Sequence, residues 1–213
     1  MIFAGLRRAG VLGINRRNAN YTLRWNPRHF YPLVDDKLAT KRLCQQAGIP
    51  VPALLAVARH HFQIRHLLPV LEARDSFVLK PVHGAMGNGI VVVTGRDGEL
   101  LVRAGGRTLR HEDFDYHAAG IISGLYSLGG QPDMAMVEER LDTHPMFAEL
   151  ATQGVPDVRV IIYRGVPVMA MMRLPTRASD GRANLQARSS GRSRAGHTCA
   201  DPGGTGASAP GGK

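Results

Sequence analysis

Apolar and polar positions along the chain group into several short runs, with one clear helical stripe. Phe77-Val78-Leu79-Lys80-Pro81, Ile90 to Val93, Met134 to Val137, Pro156 to Tyr163 and Val166 to Arg173 are short and mostly apolar. Runs of that length and composition predict strands. Arg164-Gly165 makes a tight turn between the last two, which completes a hairpin. Alternation in its second strand sends Met169 and Met171 to one face, expected to be core. The helical stripe is Leu38, Ala39, Leu43, Gln46 and Ala47. Asp35 or Asp36 is placed to cap it and Gly48 to end it. Cys44 is expected to pack on its apolar side. Ile49-Pro50-Val51-Pro52 cannot continue a helix and predicts a strand over 53–58. A second helix is expected over 63–73. Residues 14–34 mix basic and aromatic groups with Asn and Pro and read as an irregular or short-stranded lead-in. No internal repeat is present.

Between two of the predicted strands lies His83-Gly84-Ala85-Met86-Gly87-Asn88-Gly89. Strand, glycine loop, strand is the pattern of a hairpin. A Rossmann or Walker loop runs instead from a strand into a helix, and the Walker Gly-Lys-Ser/Thr ending is absent. Lys80, at the end of its strand, can still reach a phosphate as a point charge. Glycines let backbone N–H groups approach phosphate oxygens closely.

Composition narrows the classes. The 213 residues are 44% apolar and 6% aromatic, enough for an aliphatic core, with a net charge of +10 and a pI near 10.4. Such a chain suits anionic partners: nucleic acid, phosphorylated small molecules or acidic lipids. Two cysteines exclude a disulfide framework or a cysteine-rich zinc site. No apolar run approaches the ~20 residues of a membrane span. Arg7 and Arg8 interrupt what would be a signal-peptide core, so a cytoplasmic protein is expected.

The averages hide a break. From Gln186 to Lys213 there is no Ile, Leu, Val, Met, Phe, Tyr or Trp, a composition that cannot offset the entropy of ordering. Residues 186–213 are therefore expected to be a disordered low-complexity tail. Four of the 27 basic residues and one of the 17 acids lie in it, so it carries +3 and the body +7. A flexible tail, a nucleic-acid-binding arm and a change of coding frame are the three readings of so abrupt a change.

The order of motifs is more specific than any one of them. Asp36-Lys37 opens the helix that ends at Gly48-Ile49-Pro50-Val51-Pro52. Lys80-Pro81 and the glycine loop follow, then Met136-Val137-Glu138-Glu139, Pro156-Asp157-Val158-Arg159 and Arg182-Ala183-Asn184-Leu185. This series resembles the ATP-grasp fold, in particular the branch of ribosomal-protein glutamate ligases and α-L-glutamate ligase-like, or sugar-transfer-associated, proteins. The resemblance runs from about Gly13 to Leu185. It implies an α+β fold in which ATP lies between two α+β subdomains, with 1–185 as a partial ATP-grasp domain incomplete at its C-terminus. It also implies roles. Lys37 and Lys80 hold phosphates and the adenine edge, and Gly84, Gly87 and Gly89 belong to the loop closing over the phosphates. Glu138, Glu139 and Arg140 form the linker strand whose backbone reads adenine, and Asp157 accepts from ribose. Arg182 and Asn184 stand beside the acyl-phosphate site as catalytic residues. The implied reaction is amide formation: a carboxylate attacks the γ-phosphate of ATP and an amine then displaces phosphate. Positioning, cations and Mg²⁺ supply the catalysis.

The departures are specific too. Gln186 stands where the family has His, and Asp201 is the one acid beyond it, so no Mg²⁺ ligand carries over. A frameshifted or truncated ATP-grasp domain is the expectation that follows. Partners expected are small-molecule or peptide carboxylate and amine substrates, with no assignment of oligomeric state. The rival functions are an inactive ATP-grasp fragment and a basic nucleic-acid-binding protein. For the second, Arg16, Arg17, Arg24 and Arg28 with Tyr21 and Trp25 would be the patch, although the same residues suit the mouth of an anion site. His60 and His61 are expected at the surface, and His111, His117 and His144 show no ligand spacing. Asp133 and Asp142 are expected to be solvated or structural.

Overall fold

The computed structural model describes residues 2–147 and 155–174. Seven α-helices are described: α1 (Ile2–Arg8), α2 (Ile14–Arg17), α3 (Leu23–Trp25), α4 (Pro32–Asp35), α5 (Lys37–Gln46), α6 (Leu68–Ala73) and α7 (His111–Ile122). The strands are β1 (Leu54–Ala58), β2 (Phe77–Pro81), β3 (Val91–Asp97), β4 (Leu100–Arg103), β5 (Thr108–Leu109), β6 (Ala135–Glu138), β7 (Asp157–Tyr163) and β8 (Val166–Arg173). They form an antiparallel six-stranded sheet, ordered β1-β6-β2-β3-β4-β5, and a separate β7–β8 hairpin. The α+β class that the resemblance implies is what the chain adopts.

Side-chain alternation decides what each face of the large sheet does. Phe77 and Leu79 of β2, Val91 and Val93 of β3, and Ala135 and Val137 of β6 enter one core with Leu67, just before α6, Leu71 of α6, and Phe114, Ala118 and Ile121 of α7. Phe77 meets Phe114 edge-on, with ring centroids 5.8 Å apart. Such pairs contribute about 0.5–1.5 kcal/mol beyond the area they bury. On the opposite face, Met136 packs with Leu38 of α5 and Val82. Lys80 and Glu138 fall on this second face. Val78 is the register partner of Glu138 and Lys80 that of Met136, so Lys80 and Glu138 are diagonal neighbours.

Helix α5 starts where the capping signal placed it. Asp36 Oδ1 accepts from the amides of Leu38 at 2.8 Å and Ala39 at 3.0 Å, satisfying two of the amides a helix start leaves unpaired. Gly48, at φ 69°, ends it in the left-handed region. Its buried residues are Leu38 and Lys41, whereas Leu43 is exposed and Cys44 only half-buried. Lys41 takes the inward place because a buried carboxylate, Glu138, stands opposite it.

Four other expectations change. Residues 14–34 are a succession of short helical turns, not strands. Asn15 to Trp25 contain neither Gly nor Pro, so local bonds such as Asn26 N–H to Thr22 O satisfy the backbone until Pro27. The helix expected over 63–73 is a 3₁₀ turn, His61–His66, followed by α6, with Pro69 in the first turn, where its missing N–H is harmless. Thr94 to Asp133, over which no element was predicted, hold β4, β5 and α7. The Asp97-Gly98-Glu99 turn and the helical spacing of Phe114, Ala118, Ile121 and Ile122 were the available signals. Finally, the β7–β8 hairpin is not core. Arg164 (φ 51°) and Gly165 (φ 83°) form the expected tight turn, but Met169 is 50% exposed and Met171 half-buried. Among the described residues no layer covers either face of this two-stranded sheet.

Candidate functional site

The second face of the large sheet collects charge. Glu138 is buried between two lysines: its Oε2 lies 3.2 Å from Lys41 Nζ and its Oε1 is ion-paired to Lys80. The Lys41 contact is an ion pair without hydrogen-bond geometry, and Lys41 Nζ donates instead to the Pro52 carbonyl. One carboxylate between two ammonium groups leaves one positive charge over, in a partly desolvated place where charge interacts more strongly than in water. Lys37, at the start of α5, donates to the carbonyls of Val82 at 3.0 Å and Gly84 at 2.6 Å. Burial first, and then Lys80, push its pKa below the ordinary 10.5, against the opposite pull of Asp133, Asp35 and Asp36. An ammonium has three donors, and two are spent holding the glycine loop.

That loop is shaped by its backbone. Met86, Gly87 and Gly89 all have positive φ, at 59°, 76° and 75°. A side chain on Gly84 would overlap the Pro81 ring, and one on Gly89 would overlap Tyr126. His117 Nε2 contacts the Gly89 carbonyl at 3.0 Å, and Tyr126 Oη contacts His117 Nδ1 at 3.3 Å, the two rings stacked. Helix α7 and the residues after it therefore pin the far end of the loop, as Lys37 pins the near end. Burial, the largest influence, pushes the His117 pKa down. The spacing of histidines gave no sign of this role.

Three cavities follow the loop. The largest, about 790 Å³, lies beneath the N-terminal turns and is lined by Arg28, Tyr31, Asp35, Asp36 and His83 among others. The second, about 540 Å³, shares Asp35 and His83 with it and adds Lys37, Gly84 and Ala85. The third, about 360 Å³, includes Met86, Asn88, Gly89 and Tyr126. Lys37, Gly84 and Gly89 thus line cavities. Lys80 and Glu138 line none of these three.

The other expected site residues divide. Glu138 is paired on both sides within the sheet, to Leu54 and to Val78, so its backbone belongs to the ladder. The Glu139 amide donates to Ala53 O at 2.9 Å, and Arg140 pairs with the exposed Asp142 at 2.5 Å. Asp157 is gripped by the guanidinium of Arg173, through Nε at 2.7 Å and through a second nitrogen, a two-pronged contact across β7–β8. Arg182 and Asn184 lie outside the described residues. Asp133, expected to be solvated or structural, is buried and holds His83. Tyr21 and Trp25 turn toward the hairpin tip: both rings lie near Tyr163, at 6.1 and 6.0 Å, and Arg164 sits 5.0 Å from the Trp25 centroid. Among the described residues no three His, Cys, Asp or Glu side chains are grouped to hold a metal. No helix there is long and apolar enough to cross a membrane.

The domain is antiparallel α+β, and its lysine-bearing strand β2 feeds a glycine hairpin into β3. A family model for sugar-transfer associated ATP-grasp proteins matches residues 16–189. The chain belongs to that family, and with it to the ATP-grasp superfamily. No curated relative and no solved structure matches it.

Proposed function

We propose that the protein binds ATP at the glycine hairpin and uses it to join a carboxylate to an amine, as an amino-acid ligase of the glutamate-ligase type. The observation that carries this is the family match over residues 16–189 coinciding with a polar cluster, in which Lys37 and the loop from Gly84 to Gly89 line adjoining cavities and Lys80 interacts with Lys37 through its charge. In this reading Lys37 and Lys80 attract the phosphates. The loop amides close on them, with Gly84, Gly87 and Gly89 allowing the approach. The chain from Glu139 into Arg140 offers backbone to the base, Asp157 reaches the ribose, and Arg182 and Asn184 attend the acyl phosphate.

The chemistry asks little covalent help from the protein. A carboxylate oxygen attacks the γ-phosphorus and ADP leaves; cations near the transferring group offset charge that develops there. The family implies Mg²⁺, but the described residues offer no grouped oxygen ligands for it, and no step here depends on it.

Thermal stabilisation by ATP tests the binding. A ligand at one hundred times its Kd raises stability by about 2.7 kcal/mol, and Lys80→Ala is expected to remove most of the shift. A shift with RNA that salt abolishes, and none with ATP, would favour the nucleic-acid reading. Phosphate release from ATP across a panel of amino acids, glutamate first, tests the ligase.

A further inference from the structure

The Asp133 carboxylate is fully withdrawn from solvent, which is costly unless the charge is hydrogen-bonded. It accepts from the His83 amide at 3.0 and 3.1 Å and from the Met134 amide at 2.7 Å, and lies 2.7 Å from His83 Nδ1. An ionised carboxylate only accepts, so in the neutral ring this contact favours the tautomer with its proton on Nδ1 and Nε2 as the acceptor. The Nε2 edge is 3.9 Å from Asp36 Oδ2. Both residues line the 790 Å³ cavity, and the His83 side chain is 42% exposed. His83 also lines the neighbouring cavity with Lys37 and Gly84. An imidazole oriented by a buried acid thus stands at the junction of the glycine loop and a second, larger space. Anchoring the loop would require only the backbone contact of His83; the ring contact and an Nε2 edge facing the cavity go beyond that.

We propose that the 790 Å³ cavity receives the amine acceptor and that His83, oriented by Asp133, is its general base. This rests on the ligase reading above. Asp35 and Asp36 suit a primary amine in its ammonium form, which gives one proton to solvent before reacting. As the amine nitrogen forms its bond to the acyl carbon, the carbon–oxygen bond to phosphate breaks and phosphate leaves with the electron pair. The second N–H proton passes to Nε2, and Asp133 stabilises the imidazolium.

Hydroxylamine separates the two halves of the reaction, because it traps acyl phosphates without needing a base. Wild type and His83→Asn are incubated with Mg-ATP and each of the twenty amino acids, with hydroxylamine or with the same amino acids as amines. The expected result is hydroxamate formation within about twofold of wild type in H83N, and amide formation lowered by about 10²-fold or more. Equal loss of both products would make His83 a loop anchor and overturn the proposal, as would retention of both. Hydroxamate with no amide from any amine in wild type would also count against an acceptor site. No hydroxamate in wild type would instead fail the ligase reading itself. The ring can be examined without substrate: long-range ¹H–¹⁵N spectra at pH 8 are expected to show His83 with Nδ1 protonated and Nε2 bare. The opposite tautomer overturns the assignment.

Discussion

The six-stranded sheet and the β7–β8 hairpin are built from similar sequence and end in opposite states. Phe77-Val78-Leu79 with Val91-Val92-Val93 buries every second side chain completely or nearly so. Val158, Val160, Ile162 and Val168, equally β-branched, are all about half exposed or more. The hairpin ladder holds seven register pairs with one register shift, between Ile161 and Ile162, so pairing is not what it lacks. The large sheet has α6 and α7 on one face and α5 on the other, and the hairpin has no such layer among the described residues. Strand propensity therefore follows residue type, while burial follows what lies across from the strand. The same contrast holds for charge. Glu138 in the sheet is sealed between Lys41 and Lys80, whereas Asp157 in the hairpin meets Arg173 with 39% of its side chain exposed.

Substitutions can sharpen that contrast. Phe114→Ala removes the ring that meets Phe77 at the centre of the core and is expected to lower unfolding stability by about 3–5 kcal/mol in denaturant titrations. Glu138→Ala leaves two lysines on the sheet face without their shared counter-charge, and losing one partner of a buried pair costs about 3–5 kcal/mol. Because Lys80 is partly exposed, the lower end is expected, with Glu138→Gln milder.

The pH dependence is a smaller effect with a definite sign. Burial holds the folded-state pKa of His117 below its ordinary 6.5, so the unfolded chain binds the proton more readily. The contribution of neutral His117 is complete above about pH 6.5 and is lost as pH falls from there toward the lowered value. Melting temperatures at pH 8 and pH 5.5 should therefore differ more in wild type than in His117→Gln; equal slopes would remove His117 as the cause. The smallest effect belongs to the hairpin. Val160→Ala is expected to change stability by no more than about 0.5 kcal/mol. A loss above 2 kcal/mol would mean that this face is covered in solution and would erase the contrast.

Much of the site was legible in residues that sit next to one another in the chain. The cap at Asp36, the end of helix α5 at Gly48, the hairpin over Lys80 to Gly89 and the Arg164-Gly165 turn all follow from local stereochemistry. What could not be read were pairings across long separations. Nothing local marks Lys41 for burial, because its partner is almost a hundred residues away at Glu138. Nor does spacing mark His83, held by Asp133, or His117, bonded to Gly89.

The sequence by itself determined the strand and helix segments that local rules govern, the charge excess of the body, and the ordered motifs of the ATP-grasp family, whose match to residues 16–189 the family comparison then supplied. Tertiary structure decided which charges are shared, which histidines face which acceptors, and which apolar strands are covered. Those outcomes depend on groups brought within a few ångströms by the fold, where low polarity makes an unpaired charge too costly to bury and so selects its partner.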